Sequence, residues 1–219
     1  MPTLPLTLTK HVRIHGTLTC KTGLRIGGAA EEVEVGGMDN PIIRDPITQY
    51  PYVPGSSLKG KLRSLMEYKL GKIDDRGRPC GCALSDCLVC IVFGPHMNPG
   101  HRLGPSRIIV RDAPLSEESI PALNQLLEKG LPRAEVKTEN IIDRRTGIAA
   151  RGGLRSMERV PAGTKFDMEI ILRIFAGDDE KAIVGFVRQG LDLLGKEFLG
   201  GSGTRGYGWV EVDYEVSDA

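Results

Sequence analysis

The chain has 219 residues with 29 Lys plus Arg against 28 Asp plus Glu, a formal net charge of +1, so its bulk electrostatics name no partner. No run of about 18 apolar residues occurs and no basic segment followed by an apolar one opens the chain, so neither a membrane span nor a signal peptide is expected. A single-domain, intracellular, cytoplasmic protein is the expectation, with 28 glycines announcing many turns or close backbone approaches.

In chain order, alternation around Val12 and Ile14 predicts a strand over residues 7–18, leading into the turn-rich residues 22–28. An irregular stretch runs to Pro54. Ser56 or Ser57 then caps a helix over 58–70, with Leu58, Leu62, Leu65 and Met66 at helical spacing. Lys59, Lys61 and Arg63 crowd its start and oppose the helix dipole; an anion bound there would reverse that cost. Residues 107–113 read as a strand. Ser116 caps a helix carrying Ile120, Leu123, Leu126 and Leu127 until Gly130 stops it. Another strand is expected over 136–142. The unbroken alternation Phe166, Met168, Ile170, Leu172, Ile174 is the clearest strand in the chain. Asp178 or Asp179 caps a helix to Leu194, and Val210, Val212, Tyr214 and Val216 form a last strand. The order strand, helix, strand, repeated, predicts an α+β fold of the split-βαβ kind. Residues 24–54, 72–106 and 143–163 do not fit such a core, and loops of that length usually have a function.

Charge is unevenly distributed. Residues 55–78 hold seven cations against three anions, and residues 137–165 hold seven against three again. The balancing acids lie elsewhere, at Glu31, Glu32, Glu34, Glu117, Glu118, residues 178–180 and the tail after Glu211. Two basic segments suit a phosphate backbone, and equally suit ordinary solvated faces.

Four local groupings carry chemistry. Cys80, Cys82, Cys87 and Cys90 supply two short chelating pairs suited to tetrahedral structural Zn2+, with His96 as an alternative ligand; a disulfide or redox pair is the competing reading. Asp39, beside glycines and before Asn40-Pro41, could hold a divalent cation or polarise a nucleophile, though its local chemistry is first that of a turn. Residues 195–208 hold six glycines with Ser202, Thr204 and Arg205, a composition fit for an anion-binding nest but lacking the P-loop Lys. Residues 143–161 are rich in Arg and Gly and read as a β-arm whose arginines bracket phosphates while Ile148, Leu154 or Met157 wedge between bases. Only 5% of residues are aromatic, so recognition by shape and backbone is expected over a stacking platform.

Residues 36–46 (GGMDNPIIRDP) leading into 54–63 (PGSSLKGKLR), the stretch from Glu139-Asn140 to Glu158-Arg159, and 199–208 (LGGSGTRGYG) together resemble the repeated backbone subunit of type III-A CRISPR (Csm) interference complexes, a branch of the RAMP superfamily. The resemblance spans roughly residues 8–215. It implies one RAMP domain with a modified ferredoxin-like or RRM-like core over residues 1–219, carrying a catalytic loop (24–54), a zinc-binding insertion (72–106) and a thumb-like hairpin (143–163). Copies would stack as a filament along CRISPR guide RNA, beside other Csm subunits including the large polymerase/nuclease-like one. Complementary target RNA would be cut at six-nucleotide intervals, with Asp39 as catalyst and Mg2+ or Mn2+ as its ion. The implied RNA contacts are Arg25, Lys59, Lys61, Arg63, Arg144, Arg151, Arg155, Arg159, Gly201, Ser202, Gly203 and Arg205. Relatives often carry His where this chain has Arg25, which binds phosphate but cannot serve as a neutral base near pH 7. A non-catalytic scaffold of the same complex, or a repeat-processing endoribonuclease of the same superfamily, is the alternative function.

Overall fold

The structure, a computed structural model, describes residues 6–27 and 41–219. A four-stranded antiparallel sheet is built from β1 (Leu8–Cys20), β2 (Ile108–Val110), β5 (Lys165–Phe175) and β6 (Val210–Asp218), in the order β2-β5-β1-β6. Strands β1 and β2 run parallel with β5 between them, and helix α1 (Gly55–Leu70) is their crossover; α4 (Glu180–Leu194) joins β5 to β6 around β1 in the same way. This is the ferredoxin-like split βαβ predicted from the element order. Both helices cover one sheet face. Val12, Ile14 and Leu18 of β1 and Phe166, Met168, Ile170 and Leu172 of β5 point into that layer and are all buried, each such side chain contributing about 1.5–3 kcal/mol. Gly190 lets α4 approach α1: a Cβ there would lie 3.4 Å from Leu62 and 3.5 Å from Met66.

Three local features differ from the sequence reading. Helix α1 starts at Gly55 and no serine side chain caps it. Instead the Asp112 carboxylate, brought alongside by the segment after β2, accepts the Gly55 N–H at 2.7 Å. That anion offsets part of the dipole conflict created by the lysines. The second predicted helix begins as a 3-10 turn (Glu117–Ser119) and becomes α3 (Ile120–Glu128). Ser116 caps neither, because its hydroxyl donates to Asp167. Finally, the cysteine-rich insertion contains a short helix α2 (Leu88–Phe93), and the arginine-rich stretch contains a strand, β4 (Arg155–Arg159), paired with β3 (Glu135–Glu139) in a separate two-stranded sheet.

Candidate nucleic-acid interface

The motifs singled out in the sequence meet at one corner of the molecule. The turn after β1 is tied to the end of β4 by reciprocal hydrogen bonds between Leu24 and Val160, at 3.0 and 2.7 Å. The glycine loop of residues 199–208 closes on itself, Leu199 N–H to Gly208 O at 2.8 Å, and docks on the same turn through Gly201 N–H to Arg25 O (2.8 Å) and Gly208 N–H to Gly23 O (3.0 Å). Close approach explains its glycines: a Cβ on Gly200 would sit 2.2 Å from Arg25 O, and one on Gly208 would sit 2.0 Å from Leu199 O. Part of the expected anion nest is taken up internally: the amides of Gly201, Arg205, Gly206 and Gly208 donate to carbonyls within the fold, and the loop buttresses Arg205. Ser202 accepts from Arg205 Nη2 at 2.7 Å, and Gly203 is the seat of the Phe198 ring.

Cations gather over this buttress. Arg159 lies across Gly23 and is held by Glu135 through two bonds, at 2.9 and 2.6 Å. Glu139 is the hub. Its Oε1 accepts the hydroxyl of buried Tyr207 at 2.7 Å, while Oε2 lies 3.3 Å from both Arg155 and Arg205. The Tyr207 hydrogen bond, with Arg205 and Arg155, holds the Glu139 carboxyl below the usual carboxylate range. Burial and then Glu139 push the Tyr207 phenol up. Lys137 and Arg159 approach the Tyr207 ring, at 4.6 and 5.0 Å from its centre.

From α1, Lys61 reaches the same corner, with Nζ 3.9 Å over the Phe198 ring and 3.7 Å from Glu197. Lys59 forms no ion pair among the described residues; burial, then Arg63 and Arg173, lower its pKa. Arg63 is placed differently from expectation. Its guanidinium is occupied internally by Glu67 (2.8 Å), Gly94 O (2.9 Å) and Cys80 O (2.8 Å), so it pins the cysteine insertion to α1 and offers no donor fork to RNA. The neighbouring Glu67, buried and also accepting the Cys80 N–H at 2.8 Å, completes that pin.

At the tip beyond β3, Asp143 accepts from the amides of Arg145 and Thr146 and forms a turn that exposes Arg144, Arg145 and Arg151. Ile148 and Leu154 are 66% and 68% exposed there. Met157, the third suggested wedge, is buried against the domain and is unavailable for that role.

Asp39 lies outside the described residues. The two ends of its loop are not: Gly27 bridges Ile42, and Ile43 N–H donates to Ile26 O at 2.9 Å. Buried Glu158 of β4 accepts from Ile42 N–H at 3.1 Å and from Arg44 at 2.8 Å, so the loop is rooted on this corner. Glu139, Glu158, Tyr207 and Phe198 received no role from sequence, although the first two bracket the quoted Arg-rich motif.

The four cysteines converge. Their Sγ atoms all lie within 4.8 Å of one another, with Cys80–Cys82 at 3.5, Cys80–Cys90 at 3.6, Cys82–Cys90 at 3.8 and Cys80–Cys87 at 3.9 Å. A tetrahedron with metal–sulfur bonds of about 2.3 Å has edges of about 3.8 Å, so the thiols can hold a metal such as zinc. Among the described residues the fourth member of the group is Cys80, and His96 is not in it.

A family model described as the RAMP superfamily matches residues 17–211. A protein of Methanothermobacter thermautotrophicus named CRISPR system Cms endoribonuclease Csm3 is 43% identical over 213 residues, covering 92% of this chain and 83% of its own. A protein of the same name from Streptococcus thermophilus is 37% identical, covering 92% and 87%. Among solved structures, the Csm3-Csm4 subcomplex of the type III-A CRISPR-Cas interference complex contains a chain 31% identical with a TM-score of 0.60, covering 96% of this chain and 80% of that one. The Csm3 crystal structure from Methanopyrus kandleri, 24% identical with a TM-score of 0.63 and covering 97% and 78%, shares the fold.

Proposed function

The chain belongs to the RAMP superfamily, among its Csm3 endoribonucleases, and from that premise we propose that it is the backbone subunit of a type III-A CRISPR complex that holds guide RNA and cuts complementary target RNA. The observation that carries the RNA-contact reading is the convergence of the Arg25 turn, the β3–β4 hairpin, the glycine loop and Lys61 on one cationic corner. Backbone phosphates would be met by Lys59, Lys61, Arg155, Arg205 and the Arg25 turn, with Arg159 as a braced neighbour. Arg63 supports the helix from behind. The exposed tip with Arg144, Arg151, Ile148 and Leu154 would cross the guide–target duplex as a thumb, its apolar side chains splaying one base aside.

Asp39, on the loop rooted at this corner, is the proposed catalyst. A splayed target nucleotide can bring its 2′-oxygen in line with the adjacent phosphorus. As the bond between them forms the P–O5′ bond breaks, the 2′-hydroxyl giving up its proton to solvent and the departing 5′-oxygen taking one, which leaves a 2′,3′-cyclic phosphate and a 5′-hydroxyl. A divalent ion, Mg2+ or Mn2+, held by Asp39 would stabilise the developing charge. Zn2+ on the four cysteines would be structural, since four protein ligands leave no open position. Further copies of the chain, arranged as a filament, and other Csm subunits, including the large polymerase/nuclease-like one, are the proposed partners. No helix among the described residues is long and apolar enough to cross a membrane.

The test is cleavage of guide-complementary RNA by the assembled complex, mapped at nucleotide resolution. Wild type cuts in six-nucleotide steps; EDTA or Asp39→Ala abolishes the cuts and leaves target binding intact. Undiminished periodic cuts with Asp39→Ala would remove Asp39 as the catalyst, and uncut RNA from a cleanly assembled wild-type complex would leave a scaffold.

A further inference from the structure

The cations of the corner are not equally committed. Arg159 is gripped by Glu135 through two short bonds. Arg155 and Arg205, by contrast, share a single oxygen, Glu139 Oε2, each at 3.3 Å, well beyond the 2.7–2.9 Å typical of a charge-assisted bond. Their side chains are 42% and 44% exposed, whereas the Glu139 side chain is 13% exposed and fastened on its far oxygen by Tyr207. Arg155 also has a buried Nε donor with no acceptor, so its guanidinium is imperfectly satisfied where it stands. One immobile carboxylate oxygen thus faces two half-exposed guanidinium groups that it holds weakly.

We propose that Glu139 is a built-in stand-in for a phosphate: it keeps Arg155 and Arg205 aimed at one point in the absence of RNA and is displaced from them by a phosphodiester oxygen when RNA is bound. Both pairs are long and their arginines half exposed, so each contributes little stability, and the exchange costs chiefly the repulsion between the freed Glu139 carboxylate and the phosphate. Removing the carboxylate charge while keeping the acceptor for Tyr207 leaves the arginines uncompensated and strengthens the local attraction for any polyanion. The wild-type site binds RNA less tightly than its cations allow, which weakens capture of RNA that engages this corner alone. The proposal rests on the reading of the corner as an RNA contact.

The test is fluorescence anisotropy of the full chain with a labelled single-stranded oligouridylate across a sodium chloride series. Glu139→Gln is expected to bind about five- to tenfold more tightly at low salt, with a salt slope steeper by about 0.7. Glu139→Asp, which keeps the charge, is expected to stay near wild type; if it tightens equally, loosening of the hairpin is the cause and the proposal falls. Arg155→Ala and Arg205→Ala weaken binding, and in the double variant Glu139→Gln has no further effect. Weakened or unchanged binding by Glu139→Gln, with the arginine variants still impaired, overturns the role of Glu139 alone. Wild-type affinity in both arginine variants, or no RNA binding by any form, overturns the RNA contact at this corner and the role of Glu139 with it.

Discussion

Lys61 Nζ stands 3.9 Å above the centre of the Phe198 ring, and that ring occupies the space where a side chain on Gly203 would be. One aromatic residue therefore joins the cationic helix to the glycine loop. A Cβ at Gly203 would fall 1.9 Å from the ring, so Gly203→Ala must push Phe198 aside; the expected loss is about 1–3 kcal/mol. Gly206 has open space and a φ of +85°, so Gly206→Ala costs only about 1 kcal/mol, through backbone conformation. Urea denaturation distinguishes the two: adding Phe198→Leu recovers part of the Gly203→Ala loss and none of the Gly206→Ala loss.

The start of α1 depends on a residue remote in sequence. Asp112→Ala leaves the Gly55 amide without its carboxylate acceptor and is expected to cost about 1 kcal/mol, whereas Ser56→Ala and Ser57→Ala stay within about 0.5 kcal/mol of wild type. Equal effects from the three substitutions would show that a serine caps the helix in solution.

Metal analysis of the purified chain is expected to give one zinc per chain, retained by His96→Ala and lost by Cys87→Ser or Cys90→Ser. Removal by a chelator lowers the thermal midpoint by more than about 5 °C, because the insertion docks on α1 through Cys80. Burial opposes ionisation of Cys82, but the Leu84 amide and the neighbouring thiols prevail and bring it down to about 7. Loss of zinc from His96→Ala with retention by Cys80→Ser would reverse the ligand assignment.

Glu139 makes stability depend on pH. Its carboxyl is depressed in the folded chain, principally by the Tyr207 hydroxyl, so its contribution is complete above the ordinary carboxylate value and is lost as pH falls through the folded one. The stability gap between wild type and Glu139→Gln is therefore expected to be present at neutral pH and to close below about pH 4. A gap that is constant from neutral to acid would show that the charge is not what stabilises the pair.

What could be read in advance follows from how far each cause lies along the chain. The Phe166 to Ile174 strand announced itself because its alternation is local, and Asp179 caps α4 through Ala182 as expected of a residue next to its helix. Sequence places the start of α1 three residues late because the carboxylate that receives its first amide is Asp112, beyond the whole cysteine insertion. Helix α2 has no signature in sequence because Leu88–Phe93 is apolar on every side and shows no helical period. Arg63 reads as an RNA contact because its charge is visible in sequence while the Cys80 and Gly94 carbonyls that occupy it are not. Glu139 and Glu158 carry no sequence signal for the converse reason: a carboxylate among cations acquires its meaning from residues 42–44 and 205–207, which only the fold brings near. The metal cluster was legible because all four ligands fall within eleven positions.

Strand β1 precedes the other described strands in the chain and ends in the middle of the sheet, paired with β5 from residue 165 onward and with β6 from residue 210 onward. The turn that follows it receives the glycine loop just before β6. The chain must therefore be made as far as β5 before β1 can find a neighbour, and contacts of such long range form slowly. The cationic corner is completed later still, when the glycine loop follows. A partly made chain consequently lacks the finished cationic corner until the glycine loop has joined the turn after β1.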